Sequence, residues 1–215
     1  MDMKGSIAAI KDAITKSAAE RTSPEVISAA YAVVHLIGGV LLASARLLGA
    51  AGPFGMAAVA ASGAGLNGVA ALIGAAIGYI ISCGLAGSIR YLAAIVLVYT
   101  ISFAFQDTKL ASKSVFAPAT AAVSALSTGI LSSFTSVFTQ APAAAVVLIE
   151  TVFSFGGCWF FREAMSGRER TTESEELRYA GSVLITAAVL LMAVSQIEIS
   201  VSYTHLRAHE TLRHL

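Results

Sequence analysis

Between Val26 and Ile199 the chain is a succession of apolar stretches, nearly free of charge and parted by short polar breaks. The runs are continuous rather than alternating, which excludes the period-2 signature of a membrane β-barrel and predicts helices. Crossing the ~30 Å hydrocarbon core of a bilayer takes roughly 20 apolar residues per helix. On that measure the pattern predicts about seven spans. They are Val26 to Ala45, ended by Arg46; a short Gly/Ala-rich run from Pro53 to Ala64; Leu66 to Ser82; Tyr91 to Phe105; Val115 to Phe138; Ala141 to Phe161; and Tyr179 to Ile197. Only small residues around Asn67 part the second run from the third. The two read either as a hairpin or as one full span plus a re-entrant piece.

Residues 1–25 follow another pattern. Ile7, Ile10 and Ile14 recur at helical spacing with Lys4, Lys11 and Lys16 between them. This predicts a short amphipathic helix on the cytoplasmic membrane surface, with a frayed tail as the alternative. No apolar segment of the secretory-signal kind follows the basic start. Ser23, Pro24 and Glu25 then supply an N-cap, a proline at the first helical position and a first-turn acid, so a helix should begin there.

Composition supports the membrane reading. The chain is 56% hydrophobic and 13% charged, with a mean hydropathy of +0.77, and a soluble domain of this size would need more charge on its surface. The expected fold class is therefore all-α, a polytopic transmembrane helix bundle over residues 26–200 with the lipid bilayer as its partner. Lys and Arg set its orientation. With the N-terminus in the cytoplasm, that side holds Lys4, Lys11, Lys16, Arg21, Lys109, Lys113, Arg162, Arg168, Arg170 and Arg178, and the other side only Arg46 and Arg90.

Residues 201–215 break from this composition and hold three of the four histidines. Val201 to Thr211 resembles the in-frame translation of a sequencing-library adapter, so this tail is expected to be non-native. Its His205, His209, Glu210 and His214 do not make a zinc-protease helix. That motif needs histidines four apart with the glutamate directly after the first, whereas His209 and His214 are five apart. No cofactor, metal or nucleic-acid partner is expected. Cys83 and Cys158 read as small buried hydrophobes.

Ala70, Gly74 and Gly78 form a small-xxx-small face, suited to packing within the bundle or, alternatively, to self-association into a homo-oligomer. Ser124, Ser127, Thr128, Ser132 and Thr135 make the fifth span polar; their hydroxyls can bond their own helix or a neighbour. Glu150 stands out. A carboxylate near the middle of a span is costly, so it should face the bundle or be protonated. It reads either as an interhelical polar lock or as a proton or cation site, with His35 as a partner at similar depth. A lock made by the neutral acid should tolerate Glu150→Gln better than Glu150→Leu. Arg46 and Arg90 lie nearer span ends, where they can snorkel to the interface.

Leu41 to Arg46, followed by Gly52-Pro53-Phe54-Gly55-Met56-Ala57, resembles the start of the membrane region of stage II sporulation protein E. The likeness continues through a Gly/Ala-rich third span, a basic break after the fourth, Glu150 in the sixth, and Glu175 to Leu177 leading into the seventh. It runs from Val26 to about Ser200. The resemblance implies a membrane anchor and localisation domain of a sporulation regulator. In that family the bundle carries a cytoplasmic metal-dependent serine/threonine phosphatase, which activates a sporulation sigma factor. It also implies association with the division protein FtsZ at the polar septum. None of the phosphatase's metal-binding aspartates is present, so this segment is expected to carry no catalysis. The alternative is part of a small-solute transporter. Such a protein should show internal repeats or paired broken spans, and only one proline-led short span, after Arg46, is visible.

Overall fold

The computed structural model describes residues 24–49, 51–134, 140–166 and 171–213, and among these there are six helices and no strand. The predicted amphipathic segment before residue 24, Arg168, Arg170 and Thr135 lie outside the described residues. The helices are α1 (Pro24–Ser44), α2 (Phe54–Ser62), α3 (Leu66–Phe105), α4 (Phe116–Ser132), α5 (Ala141–Ala164) and α6 (Glu173–Arg213). Helix α1 starts at Pro24 with Glu25 in its first turn, where an acid meets the positive end of the helix dipole. Four helices hold segments long and apolar enough to cross a membrane: Glu25–Ser44, Leu66–Phe105, Ala141–Ala164 and Glu173–Gln196. Helix α6 continues as helical backbone through the tail to Arg213.

Straight, the 40 residues of α3 would run about 60 Å, twice the hydrocarbon thickness. They do not run straight. Gly84 adopts φ 69°, ψ 169° inside the helix, a conformation that costs little only without a Cβ. Tyr79 and Tyr91 would then lie about 18 Å apart along an unbroken axis, yet their rings stack at 4.6 Å. A Cβ on Gly68 would likewise meet the Tyr99 ring at 3.2 Å. The two halves of α3 are therefore an antiparallel pair turning at Gly84. The apolar pattern places the second of these runs from Tyr91; the helix instead resumes directly after Gly84 and takes Arg90 into the bundle.

Helix α2 lies at the centre. Every residue from Phe54 to Ala60 is buried, and the helix touches α1, α3, α4 and α5. The turn before it, Leu47 to Ala51, is closed by two backbone hydrogen bonds of 2.8 and 3.0 Å. Small residues let the backbones approach. A Cβ on Gly39 of α1 would lie 2.6 Å from the Ala71 carbonyl oxygen, and one on Gly74 or Gly78 of α3 would collide with the carbonyl of Leu36 or Val40. Gly74 and Gly78 thus face α1, and Ala70 beside them is buried.

The outer surface is the reverse of a soluble protein's. Val33 and Val34 of α1, Ile81 and Leu85 of α3, Val152 of α5 and Leu191 of α6 are exposed, while Glu150, Ser88, Ser154 and Ser182 are buried. Apolar side chains on the outside and polar ones within suit a lipid solvent. Along α4 the hydroxyls of Thr120, Ser127, Thr128 and Ser132 donate to carbonyls of their own helix at 2.7 to 3.1 Å. Of the two uses open to them, these take the local one.

Candidate functional site: a buried carboxylate centre

Glu150 projects from the tenth position of α5 into the bundle and is 1% exposed. Its neighbours come from two other segments. Arg90, six residues beyond the Gly84 turn, brings Nη2 to 2.5 Å from Oε1 and 2.6 Å from Oε2. The Tyr91 hydroxyl donates to Oε1 at 2.7 Å, and the Gly52 backbone N–H donates to the same oxygen at 3.1 Å. Ionised, a carboxylate offers about four lone-pair sites and no donor. Here it finds a cation, a hydroxyl and an amide. Burying two charges is repaid only when geometry and surrounding hydrogen bonds are good, and this centre supplies both.

The surrounding groups hold the centre in register. Arg90 also donates to the Tyr91 hydroxyl at 2.7 Å, and its guanidinium carbon stands 4.5 Å from the Tyr91 ring centroid. Tyr91 stacks on Tyr79, whose hydroxyl donates to the Gly52 carbonyl at 2.6 Å and accepts from the Met56 N–H at 3.2 Å. Ser154, one turn below Glu150, donates to the Pro53 carbonyl at 3.3 Å. The start of α2 is thereby fixed to α3 and α5, its positive dipole end beside the carboxylate. Gly52 is confined by contact: a Cβ there would sit 3.2 and 3.3 Å from the Tyr79 and Tyr91 rings.

His35 is not the partner of Glu150. Its Nδ1 lies 2.7 Å from Ser62 Oγ at the far end of α2, and Ser62 in turn donates to the Ala58 carbonyl. Arg90 does not reach outward to an interface. Arg46 closes a second set of contacts. Its guanidinium donates to the Ser82 carbonyl at 3.2 Å and to Cys83 Sγ at 3.1 Å, capping the first half of α3, while its backbone exchanges two 2.8 Å hydrogen bonds with the Gln196 amide. At the opposite end Lys109 and Lys113 are exposed, Arg162 donates to the Ser114 carbonyl at 3.2 Å, and exposed Arg178 lies 3.4 Å from Glu163. Among the described residues no cluster of His, Cys, Asp and Glu could hold a metal ion.

Sequence reasoning singled out Glu150 but not Arg90, Tyr91, Tyr79 and Gly52 as its company. One signal was available. Arg90-Tyr91 stands directly between two long apolar runs, so if helix continued through it, the arginine would be drawn in with the tyrosine. No family model matches this chain, no curated protein matches its sequence, and no solved structure matches it.

Proposed function

We propose that this chain is a membrane anchor and localisation domain, of the kind that the resemblance to stage II sporulation protein E implies. In this reading the two halves of α3 and the short α2 each count separately, giving about seven spans. The N-terminus and the loops bearing Lys109, Lys113, Arg162 and Arg178 face the cytoplasm, because basic residues are retained on that side. The location is a bacterial cytoplasmic membrane, at the polar septum, with FtsZ and a second copy of the chain as partners. The segment serves a phosphatase without catalysing anything itself.

The observation that supports anchoring over transport is the closed state of the carboxylate centre. Glu150 is 1% exposed and engaged by Arg90, Tyr91 and Gly52 together. A conducting carboxylate must exchange partners with a solute; this one joins α5 to α3 and to the start of α2. A second reading has one observation in its favour. Helix α2 is a half-length helix that opens at a polar centre inside the bundle, as in transporters with broken helices.

Fusing a green fluorescent protein to the N-terminus and imaging sporulating cells tests the anchor directly. The fluorophore matures only if it stays in the cytoplasm, so signal reports the orientation and its place reports localisation. A bright band at the polar septum is expected. A dark fusion that still inserts would overturn the orientation, and an even membrane signal would overturn the septal role.

A further inference from the structure

Where α5 ends, at the end of the bundle that carries Lys109 and Lys113, a cavity of about 180 Å³ is lined by Ser114, Trp159, Arg162, Glu163 and Ser166. Liquid water occupies roughly 30 Å³ per molecule, so the space takes a group of several heavy atoms. Trp159, Arg162 and Glu163 stand at i, i+3 and i+4 and so share one face of α5. Trp159 lies about 7.5 Å before the end of that helix at Ala164, the depth at which tryptophans line the boundary between hydrocarbon and water. The groups on this face have capacity left. Arg162 donates from Nη1 to the Ser114 carbonyl at 3.2 Å, and its other N–H groups make no bond among the described residues. Glu163 is 24% exposed and meets Arg178 through one oxygen at 3.4 Å, longer than the roughly 2.7–2.9 Å of a charge-assisted bond. Among the described residues its second oxygen has no partner, and neither has the Trp159 indole N–H. None of these atoms is enclosed, so each can meet a ligand.

We propose that this cavity binds a phosphoethanolamine group, a phosphate and a primary ammonium joined by a short linker. Arg162 takes the phosphate oxygens and Glu163 the ammonium, each through a charge-assisted bond, and the Trp159 ring on the same face attracts the cation. A phosphoglycerol headgroup would bring its phosphate beside Glu163 with only neutral hydroxyls to meet the carboxylate, and such bonds are about half as strong. A phosphocholine carries the same charges, but its ammonium has no N–H to donate, and Trp159 alone does not make the aromatic cage that a quaternary ammonium prefers. The source is a phosphatidylethanolamine lipid of the adjoining leaflet or free phosphoethanolamine, which share this chemistry. The inference rests on the membrane location alone and stands or falls apart from the septal role.

Trp159 is the one tryptophan of the chain, so its fluorescence reads the cavity directly. The purified full chain in neutral detergent is titrated with short-chain phosphatidylethanolamine, phosphatidylglycerol or phosphatidylcholine, or with free phosphoethanolamine, and emission and thermal midpoint are followed together. Phosphatidylethanolamine should shift both saturably, with an affinity about tenfold tighter than that of either other lipid, the worth of one charge-assisted contact. A response to free phosphoethanolamine at equal affinity would identify the soluble compound as the source and still support the site. Glu163→Gln should cancel the preference for ethanolamine over glycerol while lipid binding persists, and it should fold, because a bridge to an exposed arginine adds little stability. Arg162→Gln, the second variant, should weaken all three lipids about tenfold, since each carries the phosphate. No response in either signal to phosphatidylethanolamine and phosphoethanolamine would overturn the proposal. So would phosphatidylglycerol or phosphatidylcholine binding as tightly as phosphatidylethanolamine, or binding that neither substitution alters.

Discussion

Replacing Arg90 by methionine should destabilise the bundle by about 3 kcal/mol, the low end of what breaking a buried ion pair costs. The low end applies because the Arg90 side chain remains 19% exposed. The loss comes from Glu150, left buried with a hydroxyl and an amide but no cation. Glu150→Gln should cost a similar amount by stranding Arg90 instead. The double variant should recover most of the loss, since Gln still accepts from Tyr91 and Gly52 and no charge is left unpaired. Unfolding of all four proteins in mixed detergent gives the coupling energy of the cycle. Strictly additive losses would mean that the pair contributes nothing jointly.

This ranking differs from the one that a neutral lock at Glu150 implies, in which Gln is a mild substitution. The difference shows what the residue pattern can and cannot carry. Hydropathy locates the helices because lipid forces every span to be apolar and helical, and the continuous runs are legible for that reason. A carboxylate inside such a run is legible as a buried group for the same reason. Its partner is not, because partnership depends on which faces the turns bring together. The decisive turn is at Gly84, one glycine in a chain with 18. It carries no proline or charge to mark it, and it alone brings Arg90 and Tyr91 back beside Tyr79. His35, chosen by depth, is at the far end of α2 from Glu150. The small-residue face at Gly74 and Gly78 was legible as a packing surface, but only contacts across the bundle identify α1 as what it meets.

That packing gives the second large effect. Gly74→Val should destabilise the bundle by at least about 3 kcal/mol, the upper range of overpacking costs, or keep the protein from accumulating in the membrane. The added Cβ would strike the Leu36 carbonyl, and backbone cannot rotate aside as a side chain can. Gly39→Ala should be costly too, with its Cβ 2.6 Å from the Ala71 carbonyl oxygen. Gly38→Ala is the internal control. It is the next residue on the same helix and has nothing within 4 Å of its new methyl, so its effect should be neutral or slightly stabilising. Equal losses at Gly38 and Gly39 would show that α1 does not pack on α3 along this face.

An anchor and a transporter differ most plainly in whether anything crosses the bundle. The chain reconstituted into liposomes, with a pH-sensitive dye inside and an imposed proton gradient, reads this in one assay. An anchoring role predicts that proton entry matches empty liposomes, and that Glu150→Gln, checked for folding, leaves it unchanged. Flux through the wild-type protein that Glu150→Gln abolishes would contradict it, because the carboxylate centre would then be a working site and not a lock.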